Sequence, residues 1–301
     1  MDSQTPNKKP RSNFTQRVIS AIVLAPPVLG AVWWGGVPFQ VLMMVAVALS
    51  AWEYARLAVP GQPKAVSLLL VGVLPLLANS IIYQDDSAGV RVIVMLPVFG
   101  ALLYAVAKSL RFPNPRLFVF GLPYVAFPFL SMYWLRLESG PYGLALFLFL
   151  LLSIWATDIG AYAAGKSIGG PKLAPRISPK KTWAGLIGGM VASATLGGLF
   201  GAAQSGDWLP GWLVPPAATD VPHDVSLAAI GAYAAIGAVL AVAGQAGDLF
   251  ESYMKRRVDV KDSSRLIPGH GGILDRIDGL LFAAPLYALF EMTAGEWVRF
   301  W

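Results

Sequence analysis

Cysteine is absent from the 301-residue chain, and histidine occurs only at His223 and His270. The first absence excludes disulfides, a thiolate nucleophile and any cysteine-ligated metal. The second leaves too few imidazoles for a histidine-rich metal centre. Charge is also scarce: 13% of residues are Asp, Glu, Lys or Arg, against ~25% in soluble domains. Apolar residues fill the gap, at 56% of the chain with mean hydropathy +0.59. Such a chain cannot hide its apolar surface in one water-soluble core. Its fold class is expected to be an all-α integral membrane protein.

A spanning helix needs ~20 apolar residues. Candidate spans lie near 18–35, 37–58, 65–82, 90–108, 117–135, 142–164, 183–203, 226–250 and 277–298, about nine in all. Pro26-Pro27 interrupts the first, a break that membrane helices tolerate when neighbours re-satisfy the backbone. The first two could instead form a short hairpin about Gly35-Gly36. With the N-terminus in the cytoplasm, the inner segments hold 20 of the 23 basic residues, leaving out only Arg91, Arg136 and Arg299. That bias is the positive-inside pattern, and it predicts a C-terminus outside. It also accounts for the net charge of +6 without nucleic acid. The outer segments carry Asp85, Asp86, Glu138, Asp207, Asp220 and Asp224, and a Trp- and Pro-rich outer stretch near 204–225 suits the membrane interface. Residues 1–17 read as a polar, basic tail and 18–301 as a single polytopic membrane domain, with cytoplasmic loops near 165–182 and 251–278. The first span is long and lacks a small-residue cleavage pattern, so it is expected to remain as an anchor.

The two loops hold the unusual charges. From Ser252 to Asp278 the chain packs Lys255, Arg256, Arg257, Lys261, Arg265 and Arg276 against Asp259, Asp262, Asp275 and Asp278, about a Pro-Gly-His-Gly-Gly turn. Acids also interrupt apolar sequence at Asp158 and Asp248, and an ionisable group inside a span is expensive enough to suggest function. Asp248, Ser252 and Lys255 stand at i, i+4 and i+7, on one helical face; Asp275 and Asp278 stand at i and i+3. Asp248, Asp275 and Asp278 are therefore candidate ligands for Mg²⁺, which shares its shell with waters and substrate phosphates. Against this, Asp275 and Asp278 could simply cap the last helix. Gly269, Gly271 and Gly272 could let backbone N–H groups approach an anion, or form a plain tight turn. His270 is either a phosphate or loop hydrogen-bond partner or a solvated loop histidine. The segment Lys166 to Thr182, with Lys172, Ser178, Lys180 and Lys181, is a plausible triphosphate cradle, although it lacks a Walker pattern. Glu53 reads best as a local ion pair with Arg56.

These residues resemble a known family. Ser252-x-x-Lys255-Arg256, Lys261-Asp262, Pro268-Gly-His-Gly-Gly272 and Asp275-Arg276-x-Asp278 are similar to the signature of the phosphatidate cytidylyltransferase (CDP-diacylglycerol synthase) family. So are Gln245-x-Gly247-Asp248-Leu249, Asp158-x-Gly-Ala-Tyr162-x-x-Gly165-Lys166 and Lys172-Leu-x-Pro175-x-Ile-Ser178-Pro179-Lys180-Lys181-Thr182. The resemblance covers the C-terminal half closely and the N-terminal half only in hydropathy. Two positions depart from the pattern: Ala184 where the family usually has Glu, and Gly279 where it usually has Ser or a similar residue.

The resemblance implies a nucleotidyltransferase that converts CTP and phosphatidate into CDP-diacylglycerol and pyrophosphate. The expected catalytic residues are Asp248, Asp275, Asp278 and Lys255. Asp158, Lys166, Lys172, Ser178, Lys180, Lys181, Ser252, Arg256, Lys261, Asp262, His270, Gly271, Gly272 and Arg276 are expected to bind substrate. One or two cations are expected at Asp248, Asp275, Asp278 and Ser252, Mg²⁺ and, if there are two, one that could be monovalent. A homodimer in a bacterial inner membrane, its site facing the cytoplasm, completes the expectation. A CTP-dependent polyprenol or lipid kinase shares the same logic, but it would release CDP. A transporter would favour ionisable groups at mid-bilayer and broken helices in two similar halves, whereas here the acids cluster at inner ends.

Overall fold

The computed structural model describes residues 13–82, 88–138, 142–205, 210, 213 and 226–295. Within them run α1 (Asn13–Trp34), α2 (Gly36–Ala58), α3 (Pro63–Ile82), α4 (Ala88–Ser109), α5 (Pro115–Tyr133), α6 (Gly143–Ser167), β1 (Lys172–Ala174), β2 (Ser178–Thr182), α7 (Trp183–Ser205), α8 (Leu227–Arg257) and α9 (Leu274–Phe290). Among the described residues, the eight helices α2 to α9 are long and apolar enough to cross a membrane; the apolar stretch of α1, Val18–Trp34, is shorter. The protein is an integral membrane protein built almost wholly of helix. Large apolar side chains such as Val41, Val45, Val94, Val98 and Leu199 stay exposed, as expected of helices whose outer faces meet lipid.

Three boundaries differ from the sequence expectation. α1 begins at Asn13, inside the segment read as a tail. α8 runs on to Arg257, so Lys255, Arg256 and Arg257 form its last turn instead of opening a loop; cations there meet the negative end of the helix dipole. The loop expected over 165–182 is a helix end followed by an antiparallel ribbon, with Lys172 opposite Thr182 and Ala174 opposite Ser178. A turn bond from Ile177 N to Ala174 O, 3.1 Å, closes the ribbon. The Thr182 hydroxyl then accepts from Gly185 N at 3.0 Å and starts α7. Asp85, Asp86, Asp207, Asp220, Asp224, His223, Arg299 and most of the stretch near 204–225 lie outside the described residues.

Helices α6 to α9 pack face to face through small residues. A Cβ on Gly160 of α6 would stand 2.5 Å from Gly188 O of α7, and such backbone approach is what holds helices together where lipid supplies no hydrophobic drive. α5 bridges this sector to α2, α3 and α4. Its Tyr124 ring lies 4.9 Å from Phe250 of α8, which stacks on Phe282 of α9 at 5.9 Å. That aromatic cluster sits beside the polar ends of α8 and α9, where the candidate site is built.

Candidate active site

The crossing of α8 and α9 sets the geometry. A Cβ on Gly247 would fall 2.3 Å from Asp278 O, so only glycine lets the two backbones come this close. The neighbours of that contact, Asp248 and Asp278, interact electrostatically across it. Asp248 Oδ1 accepts from Ser252 Oγ at 3.2 Å, one helical turn along the same face. Its Oδ2 pairs with Lys181 of β2. Asp278 Oδ1 accepts from its neighbour Gly279 N at 2.8 Å. From α6, Asp158 feels Asp248, Lys181 and Arg276. Asp158, Lys181, Asp248, Ser252, Arg276 and Asp278, drawn from four elements, thus share one neighbourhood.

Asp275 has different company. Its Oδ2 accepts from Ser263 N, Ser263 Oγ and Gly272 N, each at 2.8 Å. Its Oδ1 takes Lys255 Nζ at 2.6 Å, and the same ammonium holds Glu251 Oε2 at 2.5 Å. The Lys255 and Asp275 side chains are 12% and 7% exposed, and that of Glu251 only 1%. Buried charges of this kind persist only when paired. Lys255, expected among the catalytic residues, is therefore a strut between α8 and α9, and Asp275 is saturated with donors.

A further carboxylate, Glu53, overturns a local reading. Glu53 of α2 is fully buried and lies with the signature loop, while Arg56 stacks its guanidinium on Trp52, 4.7 Å from the ring centre. Glu53 Oε1 accepts from Ser264 Oγ at 2.6 Å and Ile273 N at 3.0 Å; Oε2 accepts from Leu274 N at 2.8 Å and Ser263 Oγ at 3.1 Å. The first N–H groups of a helix have no partner within it. Here a residue more than two hundred positions earlier caps α9. The Gly272 position is shaped by the same group, since a Cβ there would meet Ser263 Oγ at 2.1 Å and Glu53 Oε1 at 2.3 Å.

These bonds correct the expected glycine cradle. Gly269 and Gly271 do take positive φ, 76° and 84°. However, the amides of His270 and Gly271 donate to Ile267 O, and those of Gly272, Ile273 and Leu274 donate to Asp275 and Glu53. The amides of Gly271 and Gly272 serve the turn, not an anion. What faces solvent instead is a polar cavity of about 640 Å³ lined by Lys261, Asp262, Arg265, His270 and Arg276. Arg256 bonds Val260 O at 3.2 Å, and Lys166 lies against Tyr162. Lys172 and Lys180 are exposed on the ribbon and Ser178 is half-buried. None of these four basic residues reaches an acid of α8 or α9 within ion-pair distance among the described residues. Ala184 lies in the first turn of α7, and nothing in the structure assigns it a partner. Gly279 lies at the α8–α9 crossing, where a Cβ would meet Ile154 at 3.1 Å.

Glu251, Ser263 and Ser264 were missed in the sequence. Glu251 had a signal: it precedes Lys255 by four residues, the spacing of a helical Glu–Lys pair. The serines had none, because their partner is distant in sequence.

The donor set can be tested against a divalent cation. Among the described residues no three His, Cys, Asp or Glu side chains form an all-protein cage. Asp248 and Asp278 nevertheless bring two hard oxygen ligands together, with the Ser252 hydroxyl beside them. Mg²⁺ is commonly held by one or two carboxylates and completed by water and substrate phosphate, so this pair fits such an ion. Asp275, already holding four donor contacts, does not.

Known proteins are similar to this chain over nearly its whole length. Residues 15–293 match the Cytidylyltransferase family. A phosphatidate cytidylyltransferase of Brucella melitensis is 37% identical over 287 residues, covering 95% of this chain and 96% of the relative. Proteins of the same name from Bacillus subtilis and Pseudomonas aeruginosa are 32% and 34% identical, each covering 93% of this chain and 98% and 97% of their own lengths. The chain belongs to the cytidylyltransferase family.

Proposed function

We propose that this protein is a phosphatidate cytidylyltransferase, a nucleotidyltransferase that joins CTP to phosphatidate and releases pyrophosphate. The observation that carries this reading is the approach of Asp248 and Asp278 where α8 and α9 cross, with Lys181 reaching in from the ribbon. A lipid phosphate monoester is already an anion at neutral pH, so the reaction needs alignment and charge neutralisation more than a strong base. A phosphatidate oxygen attacks the α-phosphorus of CTP in line. The bond from that phosphorus to the bridging oxygen breaks, and the electron pair leaves with pyrophosphate. Lys181, Arg276 and Lys261 offset the charge of the two polyanions. Asp248 and Asp278, with Ser252, would hold the expected Mg²⁺, and if two cations bind, one could be monovalent. A bound cation supplies charge stabilisation at the phosphate oxygens. Asp275, Lys255 and Glu53 fix the positions of the acting groups.

The decisive assay uses CTP labelled at the α-phosphate, phosphatidate and Mg²⁺. Transfer of label to lipid with release of pyrophosphate, lost in Asp248→Asn and Asp278→Asn, supports the reading. Formation of CDP with unlabelled lipid would establish the kinase instead.

The finer topology belongs to the same proposal: nine spans, N-terminus in the cytoplasm, C-terminus outside, and the site facing the cytoplasm of a bacterial inner membrane. The bias of 20 in 23 basic residues supports it. Basic loops there also attract anionic lipid. Because the chain has no cysteine, single cysteines placed at Lys108 and Arg299 report sidedness directly; labelling of both from the same side refutes the scheme. The homodimer follows from the resemblance, and a monomeric mass in native detergent micelles would exclude it.

A further inference from the structure

Because Glu53 serves the start of α9, Arg56 is left as a cation at the polar end of α2. No carboxylate lies within ion-pair distance of it among the described residues. Its guanidinium rests on the Trp52 ring, 4.7 Å from the centre. Trp52 and Arg56 both line a cavity of about 690 Å³ enclosed by the end of α2, the turn into α3 and the segment that follows α8. Leu57, Val66 and Val258 are among its apolar walls, and Gln62 and Ser67 supply hydrogen-bonding groups. Pro60 and Pro63 fix two φ angles of the turn, and Gln62 N donates to Val59 O at 3.3 Å across it. The cavity is therefore held open by stiff chain.

Arg56, Val260 and Ser263 also line an adjoining cavity of about 580 Å³, which adds Lys261 and Arg265 as cations and Asp259 and Asp262 as acids. Lys261, Asp262 and Arg265 continue into the polar cavity of about 640 Å³ that reaches Arg276. Three spaces thus stand in a row along residues 258–265, each within the size range of small-molecule sites. Only the last contains Arg276, which belongs to the neighbourhood of Asp248 and Asp278. A nucleotide that reacts at those carboxylates fills that end of the row and leaves the Trp52 end free.

We propose that the cavity at Trp52 and Arg56 is a second nucleotide site, separate from the reacting CTP, which takes a nucleoside phosphate as its Mg²⁺ complex. Heterocyclic bases stack on indole rings and guanidinium planes, and Trp52 with Arg56 offers both. Gln62 and Ser67 meet the edge of the base. The phosphates extend into the adjoining space, toward Arg56 and Arg265. Asp259 and Asp262 would repel a bare phosphate there, but they suit Mg²⁺ carried on phosphate oxygens. The site also touches the catalytic frame. Ser263 lines both of these cavities, and its N–H and hydroxyl each donate to Asp275 at 2.8 Å. The occupant therefore rests on the wall that orients Asp275. The inference goes beyond the proposed function and does not depend on it.

The test is equilibrium dialysis of the full-length protein in detergent, with labelled CTP or ATP and Mg²⁺ and without phosphatidate. The parent binds two CTP per chain, or one CTP and one ATP together. Arg56→Gln weakens one of the two sites by at least about tenfold, what a lost charge-assisted contact is worth. The KM for CTP in label transfer to phosphatidate stays within about twofold of the parent on the same scale. One nucleotide per chain in the parent, or two held equally well by parent and variant, overturns the proposal. A raised KM for CTP in Arg56→Gln overturns it too, because the cavity would then belong to the reacting nucleotide. So does pyrophosphate that binds the second site as tightly as ATP, since no base would be needed. Hydrogen exchange reads the same point on the unmodified protein, whether or not the variant folds. ATP with Mg²⁺ slows exchange at residues 59–67 and 258–263, and protection confined to 272–276 overturns the site. A parent that transfers no label sinks the proposed reaction instead, and dialysis and exchange still decide this one.

Discussion

Replacing Glu53 by Ala removes the acceptor of two backbone amides and two hydroxyls in one step. The hydroxyls can rotate elsewhere; Ser263 already shares its single proton with Asp275, 2.8 Å away. The amides of Ile273 and Leu274 cannot move without unwinding the start of α9. A buried donor left unsatisfied costs about 1–3 kcal/mol, so two cost about 2–6 kcal/mol. Leu274 has no exposed surface, and water can reach the pair only by entering beneath the loop. The cost falls where Asp275 and Asp278 are positioned, so turnover should drop by at least about tenfold, since each 1.4 kcal/mol of lost alignment is a factor of ten. Glu53→Gln keeps one acceptor oxygen and should lie between. The assay pairs thermal unfolding in detergent with label transfer from CTP, and hydrogen exchange at residues 272–276 localises the effect. Unchanged melting, exchange and turnover in Glu53→Ala would refute the idea that α2 caps α9.

The other predictions rest on the same contacts. Lys255→Met strands Asp275 as a buried charge and removes the donor of Glu251, at a cost of about 3–5 kcal/mol; a melting temperature equal to the parent's would count against the strut. Gly272→Ala drives a methyl into Ser263 and Glu53 and should abolish turnover, an outcome read by the same assay; full activity would show that the loop adjusts freely. Asp278→Asn should keep the parent's melting temperature yet lose the metal dependence of nucleotide binding, measured by calorimetry with and without Mg²⁺, while retained dependence removes Asp278 from the cation. Lys181→Ala should raise the KM for CTP more than it lowers kcat, and an unaltered KM excludes contact with the nucleotide phosphates.

The spanning helices were legible because a long apolar run has few alternatives, and their expected limits fall within a few residues of α2 to α7. The extension of α8 was legible only in part: helical spacing put Lys255 on the face of Asp248 and Ser252, yet the charged run Lys255-Arg256-Arg257 also reads as loop. The ribbon was hidden because Lys172–Ala174 and Ser178–Thr182 carry neither alternating apolar residues nor a recognisable hairpin turn. At the site, helical spacing anticipated the Ser252–Asp248 bond and placed Asp248 and Asp278 on ends that could meet. Spacing failed for Asp275, which shares a helix with Asp278 but serves Ser263, Gly272 and Lys255. It failed for Glu53 for the same reason: a nearby Arg56 offers an easy local partner, whereas the actual donors lie about 210 to 221 positions on.

That separation has a consequence for how the protein is made. At a synthesis rate of about 5–20 residues per second, Leu274 follows Glu53, 221 residues earlier, by about 11–44 s. During that interval α2 is already among lipids with a carboxylate whose partners do not yet exist. Glu53 sits five residues from the end of α2, where interfacial water can hold the charge until the loop arrives. The last step of assembly is then the closing of the turn at 263–274 onto Glu53. A chain stalled before that turn would carry all its earlier helices and a hydrated acid awaiting its lid.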